Sequence, residues 1–386
     1  MNPRFAAMPT TVFERMSARA RAAGAINLGQ GFPDANGPPD VVAAAARALT
    51  DRSNQYPPMA GLPELRQAIA DHYHRHQGLA LDAEREIIVT SGATEALAAS
   101  LFALLSPGDE VVLFQPLYDA YLPLVAQAGG VPKLVRLAPP DFRITAAALD
   151  AAFSPRTRLV VLNTPLNPAA TLATPGELAL LADRIVAVDA LAISDEVWEH
   201  VLFDGRSHAT LMAAPGMRER TVKIGSGGKI FSLTGWKVGW MCAAPPLATA
   251  LARAHQFLTF TTPPNLQAAV AYGLGKDDAY FQAMRADFAA ARDRLSAGLA
   301  AGGWAVLPSA ATYFLSVDLR ASGISLPDTM FCDRLVDEHG VAAIPVSAFY
   351  AEDPVTHLVR FCFAKAPATL DAAIERMATA HRDLAG

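Results

Sequence analysis

The chain has 386 residues, of which 52% are hydrophobic and 18% are charged, and its formal net charge is -5 at pH 7. This composition supports a large buried interior and excludes a disordered or polyelectrolyte chain, while the length predicts two domains of unequal size. The mild acidity is not offset by a basic stripe, so a nucleic-acid partner is not expected.

The first 285 residues alternate short apolar runs with alanine-rich segments of helical period, a pattern typical of an α/β protein with a mainly parallel sheet between helices. The predicted strands are 86–90, 110–114, 159–163, 190–194 and 221–225. The predicted helices are 38–49, 62–76, 94–105, 175–186 and 277–302. Several of these helices begin at Pro or at a hydroxyl residue, which favours helix initiation.

The C-terminal third has a different character. Residues 313–319 and 357–363 are predicted strands around a helix at 326–339, and the last predicted helix is 368–380. This pattern indicates a second, smaller α+β domain. We expect the N-terminal arm to pack against the last helix, because the first strong strand signal comes only after residue 80. The predicted division is an arm at 1–45, a large domain at 46–285 and a small domain at 286–386.

Cysteine spacing and hydropathy bear on the compartment. The cysteines are far apart and form no Cys-x-x-Cys pair, so neither a disulfide framework nor a zinc site is indicated. The N-terminus has no long apolar core of the kind found in secretory signals. The most apolar long stretch, 111–132, contains Pro116, Asp119 and Pro123 and would span a bilayer poorly. We therefore expect a cytoplasmic protein without a membrane partner.

Lys229 is the most informative residue of the chain. It lies among small residues, with Ser226 before it and a second cation, Lys237, after it. Crowding by a cation or by apolar walls lowers the pKa of an amine, which allows it to attack a carbonyl. A nucleotide-binding loop is excluded, since Lys223 and Ile230 stand where that motif needs Gly and Ser or Thr. The candidates that remain are a Schiff-base lysine for an aldehyde cofactor bearing a phosphate, and a solvated lysine in a tight turn.

Three other predicted strand ends carry suitable groups, and parallel sheets place functional residues at their carboxyl ends. Small residues at 91–97 open a helix whose free N–H groups suit a phosphate. Asp195 offers a carboxylate for the nitrogen of a pyridoxal ring, and Asn167 lies on a proline-stiffened loop that suits an amide donor. Each residue alone is explained as a helix cap or a turn. Their joint occurrence favours a cofactor site.

Further stretches carry a resemblance to a known family. They are Gln-Gly-Phe-Pro-Asp at 30–34, Gln-Tyr-Pro-Pro-Met-Ala-Gly-Leu-Pro-Glu-Leu-Arg at 55–66 and Arg-Phe-Cys-Phe-Ala-Lys at 360–365. With the strand ends above, they make nearly the whole chain similar to fold-type I pyridoxal-phosphate aminotransferases of class I/II. The chain most resembles the branch that contains methionine, glutamine and kynurenine aminotransferases.

The resemblance implies a role for each matching position. Lys229 carries pyridoxal 5'-phosphate as a Schiff base, Asp195 pairs with the ring nitrogen, and Asn167 contacts the phenolic oxygen and the substrate. Arg360 binds the substrate α-carboxylate, with the backbone of Gly31 close by. The other implied cofactor-binding residues are Gly92, Ala93, Thr94, Tyr118, Trp198, Ser226, Lys237 and, from the neighbouring subunit, Tyr56. The resemblance therefore implies a homodimer with shared active sites.

The implied reaction is ping-pong transfer of an amino group from an α-amino acid, with methionine, glutamine or an aromatic amino acid expected, to a 2-oxo acid. A pyridoxal-dependent β-lyase acting on cysteine S-conjugates is the alternative, because both reactions pass through the same carbanion. A ligand-sensing module of a transcription regulator is a third possibility. It needs a DNA-binding segment before 30–34, and we expect no room for one.

The chain departs from the family pattern at several positions. Trp198 stands where the family usually has a tyrosine, and an indole N–H donates but is no acid. Residues 167–170 read Asn-Pro-Ala-Ala instead of the common Asn-Pro-Thr-Gly, and 310–314 lack a glycine often seen before Thr-Tyr-Phe. By family position the substrate pocket would also include four aromatic residues, for which core packing is an equal alternative: Phe257, Phe260, Phe349 and Tyr350.

Three histidines on one predicted helix, His72, His74 and His76, raise the question of a metal. Only His72 and His76 share a helix face, and the sequence specifies no further ligand. We expect solvated helix histidines and no metal ion.

Overall fold

The computed structural model describes residues 1, 6 and 8–385. Its α-helices, in chain order, are α1 (Val12–Ala23), α2 (Pro39–Asp51), α3 (Pro63–Gln77), α4 (Gly92–Leu104), α5 (Tyr121–Gln127), α6 (Ala146–Ala152), α7 (Pro175–Ala187), α8 (Gly227–Ile230), α9 (Pro245–Leu258), α10 (Pro264–Leu274), α11 (Asp278–Ala301), α12 (Asp328–His339) and α13 (Pro367–Leu384). Its strands are β1 (Ile26–Asn27), β2 (Ile87–Ser91), β3 (Glu110–Gln115), β4 (Val131–Arg136), β5 (Thr157–Asn163), β6 (Leu191–Asp195), β7 (Thr221–Ser226), β8 (Val238–Cys242), β9 (Ala305–Val306), β10 (Phe314–Asp318), β11 (Val341–Ala342), β12 (Ile344–Pro345) and β13 (Leu358–Cys362).

A seven-stranded sheet forms the centre of the molecule, with the strand order β2-β8-β7-β6-β5-β3-β4. The pairs among β3, β4, β5, β6 and β7 are parallel, whereas β8 runs antiparallel to both β2 and β7. The predicted α/β class with a mainly parallel sheet between helices is confirmed. Strands β4 and β8 were not predicted. Strand β4 lies at the sheet edge with exposed residues, so it lacks an apolar run.

The predicted strands of this sheet are present, with ends shifted by one or two residues. The shift matters at two positions, since Asp195 and Ser226 are the last residues of β6 and β7 rather than the first residues after them. Being inside the strands, both are held by ladder hydrogen bonds at the carboxyl edge of the sheet. The backbone there is consequently rigid, which suits a site that must position charged groups.

The N-terminal arm and the C-terminal third pack together. Strand β1 pairs in parallel with β11, while β12, β13, β10 and β9 form a separate antiparallel sheet. Helix α1 packs mainly on α12, β11 and β12, and any contact with the last helix, on which we expected the arm to pack, is weaker. Its Arg15 and Arg19 pair with Asp333 and Asp337 on α12. The arm therefore docks through charge pairs that periodicity does not reveal, beside the buried Met16 and Ala20.

We propose the domain division 1–45, 46–285 and 286–386 from the separate sheets. Helix α11 runs across the second boundary as one continuous helix of 24 residues, so it joins the two domains rigidly. In the part of the chain that the structure describes, no helix has both the length and the apolar composition needed to cross a bilayer.

The expectation of solvated histidines on α3 is wrong for His72. Its side chain is 1% exposed, and its Nε2 lies 2.7 Å from Nε2 of His200, which follows β6. His74, on the opposite face of the helix, is exposed as expected. The face that carries His72 packs inward, and the sequence could not show that the contact there is another imidazole.

Candidate active site

A cavity of about 370 Å³ opens at the carboxyl ends of the parallel strands. It brings together all but one of the residues predicted for the site: Gly31, Gly92, Ala93, Thr94, Tyr118, Asn167, Asp195, Trp198, Ser226, Lys229, Lys237 and Arg360. These residues come from separate strands, loops and both ends of the chain. Their convergence on one cavity is decided by the topology, because parallel strands end at one edge of the sheet.

Lys229 reaches the cavity from the single-turn helix α8, directly after β7. Its Nζ lies 3.1 Å from the Tyr313 hydroxyl and 4.6 Å from the centre of the Trp198 ring. Burial, together with the positive charges of Arg360 and Lys237, lowers the pKa of the Lys229 amine to about 8. About a tenth of the amine is then deprotonated at pH 7, so the amine can act as a nucleophile or a base near neutral pH.

Asp195 is buried at the end of β6, where one oxygen accepts a hydrogen bond of 2.6 Å from the Tyr121 hydroxyl. Burial raises the pKa of this carboxyl group, while the Tyr121 hydrogen bond and the charge of Lys229 oppose that rise. The other oxygen accepts only the Val197 backbone N–H at 3.5 Å, so the carboxylate still has lone pairs to satisfy. The site can therefore accept a cationic N–H group at Asp195.

Arg360 lies on β13 and is 1% exposed. Its guanidinium donates to Asn167 Oδ1 at 2.8 Å and to the Gly29 carbonyl at 2.9 Å, and it stacks on Phe314 at 3.9 Å. Its Nε has no hydrogen-bond partner, and no Asp or Glu carboxylate pairs with it within the described residues. Burial lowers the pKa of Arg360 to about 10, so the group is charged at pH 7. A buried cation without an anion is prepared for an anionic ligand.

One chain of hydrogen bonds connects these two ends of the cavity. Asn163 donates from its side chain to the backbone carbonyl of Asp195 at 3.0 Å. Its Oδ1 accepts the backbone N–H of Asn167 at 2.9 Å, and Asn167 in turn accepts from Arg360. The loop that carries Asn167 is thereby held in register with β6 and β13.

A tight cradle forms where α4 begins. Gly92 has φ +72°, and a Cβ at this position would lie 3.3 Å from Nζ of Lys237. A Cβ on Gly239 of β8 would lie 2.9 Å from the backbone N of Ala93. Gly239 is required by this close approach of two backbones, and Gly92 is required by its positive φ. The free N–H groups at the start of α4 and the Lys237 ammonium thus face the same small space, an arrangement suited to a phosphate.

Trp198 is buried, and its ring meets that of Tyr313 edge to face with centroids 4.3 Å apart. No phenol is present at position 198, but the Tyr313 hydroxyl contacts Lys229 and also donates to the Gly31 carbonyl. A hydroxyl therefore reaches the amine from the C-terminal third of the chain instead of from the strand that carries Asp195.

The remaining predicted residues lie elsewhere. Tyr56 is 82% exposed and does not line the cavity; its ring contacts Phe260 edge to face with centroids 5.5 Å apart. Phe257 is 85% exposed. Phe349 is buried behind Arg360, with its ring centre 5.2 Å from the guanidinium carbon. The Tyr350 hydroxyl donates a hydrogen bond to the Leu137 carbonyl. Tyr56, Phe257, Phe260, Phe349 and Tyr350 are therefore all absent from the lining of the cavity in a single chain.

Sequence reasoning missed several lining or supporting residues. Phe13 and Phe314 wall the cavity around Arg360, while Tyr121 and Tyr313 supply the hydroxyls on Asp195 and Lys229. Tyr313 stood in a stretch compared with the family, yet nothing in the sequence says which hydroxyl meets which charge. The only local signal for Tyr121 was that it follows Tyr118 by three residues.

Comparisons with known proteins agree with this geometry. A probable N-succinyldiaminopimelate aminotransferase of Mycobacterium tuberculosis is 45% identical over 379 residues and 95% of each chain. Methionine aminotransferase of Escherichia coli is 44% identical over 369 residues, again 95% of each chain. The solved structure of the N-succinyldiaminopimelate aminotransferase from Mycobacterium tuberculosis superposes with a TM-score of 0.95, covering 98% of this chain and all of that one at 45% identity.

The model of the family described as aminotransferase class I and II matches residues 23–377. An amine of lowered pKa, a buried carboxylate and a buried unpaired guanidinium surround one cavity. The match to this family explains why these groups converge. The chain belongs to the class I and II aminotransferases, and it is a transaminase that uses pyridoxal phosphate to move amino groups between amino acids and 2-oxo acids.

Proposed function

We propose that this transaminase acts on α-amino acids with an uncharged, largely apolar side chain, such as methionine or an aromatic amino acid. The charged residues that line the cavity are Asp195, Lys229, Lys237 and Arg360. Each is assigned below to the cofactor or to the α-carboxylate, so the described lining leaves no charge for a substrate side chain. Apolar walls such as Leu97, Val197 and Phe314 favour an apolar group in the remaining space. Glutamine, which the resemblance also suggests, would have to leave its amide without a charged partner.

Pyridoxal phosphate fits the donor set. The start of α4, Ser226 and Lys237 would hold the phosphate, Asp195 would face the ring nitrogen, and Asn167 would face the phenolic oxygen. The support is the cradle at Gly92, which a Cβ would fill, and the carboxylate of Asp195, which keeps unused acceptor capacity. When bound, the cofactor supplies an aldehyde that accepts the amino group and a ring that withdraws electrons from Cα.

The residues of this chain would then divide the work. Arg360 binds the substrate α-carboxylate through the guanidinium N–H groups that Asn167 and Gly29 leave free. Lys229, with a pKa of about 8, takes the Cα proton and returns it to the product side. Tyr313 holds the Lys229 amine at 3.1 Å and so keeps it directed at the cavity. Asp195 keeps a proton on the ring nitrogen, and Tyr121 fixes the orientation of that carboxylate.

The observation that carries the proposal is the state of Arg360. A guanidinium that is 1% exposed and has no carboxylate partner in the described chain is costly unless an anion arrives. Its position at the same cavity as an amine of lowered pKa matches a substrate that carries both a carboxylate and an amino group.

We also propose a homodimer in which Tyr56 of one chain reaches the phosphate of the other. The support is an exposed aromatic surface formed by Tyr56, Phe257 and Phe260, which is unusual for a monomer. Sedimentation of wild type and of Tyr56→Ala tests the assembly. Titration of the same two proteins with the cofactor tests the affinity. A cytoplasmic location belongs to the same proposal, since three free, buried cysteines suit a reducing compartment.

A panel of amino donors with one fixed 2-oxo acid acceptor tests the substrate class. We expect methionine and aromatic amino acids to exceed aspartate, glutamate and lysine in kcat/KM by at least ~10-fold, the effect of burying one uncompensated charge. N-Succinyldiaminopimelate and kynurenine belong in the panel, because similar proteins are named for them. Preference for an acidic donor would overturn the proposal.

The β-lyase alternative uses the same residues, because loss of a β-leaving group and reprotonation both follow removal of the Cα proton. Incubation with a cysteine S-conjugate separates the two reactions. Pyruvate and ammonia report elimination, and the aminated acceptor reports transfer. We expect transfer to dominate, since Lys229 is held close to the cavity by Tyr313 and can return the proton.

A further inference from the structure

Three histidine rings meet outside the active-site cavity. His72 and His76 are one turn apart on α3, and His200 comes from the turn that follows β6. The ring centroids of His72 lie 4.5 Å from His76 and 4.7 Å from His200, and those of His76 and His200 are 5.0 Å apart. One ring nitrogen of each lies within 4.8 Å of those of the other two. None of the three lines the cavity of the transaminase site.

This arrangement has the chemistry of a site for a transition-metal ion. Two histidines at positions i and i+4 of a helix present both rings on one face, and a third imidazole from a different element completes three nitrogen ligands. Imidazole is a ligand that Zn²⁺ and its neighbours prefer, and open Zn²⁺ sites use three protein ligands and a water. His72 and His200 are 1% and 5% exposed, whereas His76 keeps an 18% exposed side chain, which gives an ion access from solvent.

The geometry requires a small adjustment. The facing Nε2 atoms of His72 and His200 are 2.7 Å apart, a hydrogen-bond distance. Two nitrogens on a tetrahedral ion with bonds of about 2.0–2.1 Å are separated by about 3.3 Å, so the rings must part by about 0.6 Å. Arg75 donates to Nε2 of His76 at 3.1 Å and would turn toward Asp278, whose carboxylate lies 3.7 Å from its Nε. Asp278 also supplies the nearest negative charge, 4.0 Å from His76.

A second group of potential ligands nearby serves as a contrast. Glu196, Glu199 and His208 are equally close together, but the Lys223 ammonium already contacts both carboxylates. A cation of the chain itself occupies the place that an ion would take. At the three imidazoles the contacting cation is Arg75, whose guanidinium reaches only His76 and has Asp278 as an alternative partner.

We propose that His72, His76 and His200 bind one Zn²⁺-type ion, which fastens α3 to the turn that follows Asp195. Because the sequence joins this turn to β6, the ion would act as a brace behind the cofactor site and would take no part in the chemistry. The proposal is independent of the substrate and needs only the folded chain.

The test uses the holoenzyme, stripped with a chelator and dialysed against Zn²⁺, with metal content measured per chain. We expect one equivalent of Zn²⁺, a raised Tm, and a visible Co²⁺ spectrum with nitrogen ligation when Co²⁺ replaces Zn²⁺. His76→Asn should weaken Zn²⁺ binding by at least ~10-fold and abolish the rise in Tm, since a ligand is lost. His74→Asn, an exposed histidine on the same helix, is the matched control and should bind as wild type does.

His200→Asn gives a second loss of ligand from a different element, so a fold defect in one variant does not decide the outcome. Failure of wild type to bind stoichiometric Zn²⁺ would overturn the proposal and leave a hydrogen-bonded imidazole pair. Equal Zn²⁺ affinity in wild type and His76→Asn would overturn it as well, because the ion would then bind elsewhere.

Discussion

Two buried cations of this molecule, Lys223 and Arg360, have opposite electrostatic surroundings. Lys223 is fully buried and contacts the carboxylates of Glu196 and Glu199, with its ammonium 4.5 Å from the centre of the Tyr73 ring. Arg360 is equally buried but has only neutral partners. Burial opposes the charge of Lys223, yet the two carboxylates outweigh it and raise its pKa, whereas burial lowers the pKa of Arg360.

The difference separates a structural charge from a functional one. A buried cation with its own anions is neutralised within the fold, so that its removal is costly, and it has no capacity for a ligand. A buried cation without an anion weakens the fold and is available to bind an anionic ligand. Lys229, whose amine is also buried and of lowered pKa, belongs with Arg360.

Lys229→Ala should have the largest effect. We expect turnover to fall by at least ~10³-fold, because both the covalent attachment and the proton transfer are lost. Turnover and borohydride trapping of the cofactor on the chain are the measurements. Lys276→Ala is the control, since that amine pairs with Asp40 on α2, outside the cavity. Normal turnover in Lys229→Ala would refute the assignment.

Lys223→Met should affect stability rather than chemistry. The change removes the ammonium from two buried carboxylates and leaves Glu196 with His208 and Glu199 with neutral donors, which costs about 3–5 kcal/mol of unfolding free energy. Denaturant unfolding measures this loss. Arg156→Met is the matched control: its side chain is 77% exposed beside Glu110, so it should cost about 0–1 kcal/mol. A loss as small as that of the control would contradict a structural role for Lys223.

Arg360→Ala should give the reverse pattern. We expect kcat/KM for amino donors to fall by about 10- to 150-fold, as loss of a charge-assisted hydrogen bond of about 1.5–3 kcal/mol implies. The Tm should stay level or rise, because an unpaired buried charge is removed. Arg360→Lys retains the charge without the fork and should fall in between. An unchanged KM combined with a large drop in Tm would make Arg360 a structural residue.

Tyr121→Phe removes the hydroxyl that holds Asp195, without emptying the space that the ring fills. We expect kcat to fall by about 5- to 10-fold, the equivalent of one hydrogen bond of about 1–1.5 kcal/mol. The pH at which the cofactor absorption changes should shift in the same variant. Tyr350→Phe, whose hydroxyl bonds the Leu137 carbonyl away from the cavity, should leave both measurements unchanged.

An effect of similar size concerns pH. The pKa of Lys229 is lowered to about 8 in the folded chain, whereas an unfolded lysine titrates near 10.4. Between these values the unfolded chain binds more protons, so the unfolding free energy rises with pH. Without cofactor, wild type should gain roughly 1–2 kcal/mol over Lys229→Met between pH 7.5 and 9.5. A difference that stays constant with pH would show that the amine titrates normally.

Local sequence patterns predicted some of these features of the site and not others. The stretches around Lys229, Asp195 and Gly92 are local, since each lies where a predicted strand ends, and periodicity and turn chemistry marked them as candidates. The ion pairs of Lys223 and the unpaired state of Arg360 depend on which elements become neighbours. Their contacts join residues up to 331 positions apart, and no local pattern encodes such a contact.

By itself, the sequence determined the α/β class and most helices and strands, because hydrophobic period and the chemistry of strand ends are properties of short segments. Local patterns also marked Lys229, Asp195 and Asn167 as candidates, whereas most other residues of the cavity were implied only by the resemblance to a known family. Only the tertiary structure decided that Tyr121 and Tyr313 supply the hydroxyls, that α1 docks on α12, and that His200 meets His72 and His76. Hydrogen bonds, charge pairs and metal ligation depend on distances of a few ångströms between distant segments, and those distances exist only after the sheet has assembled.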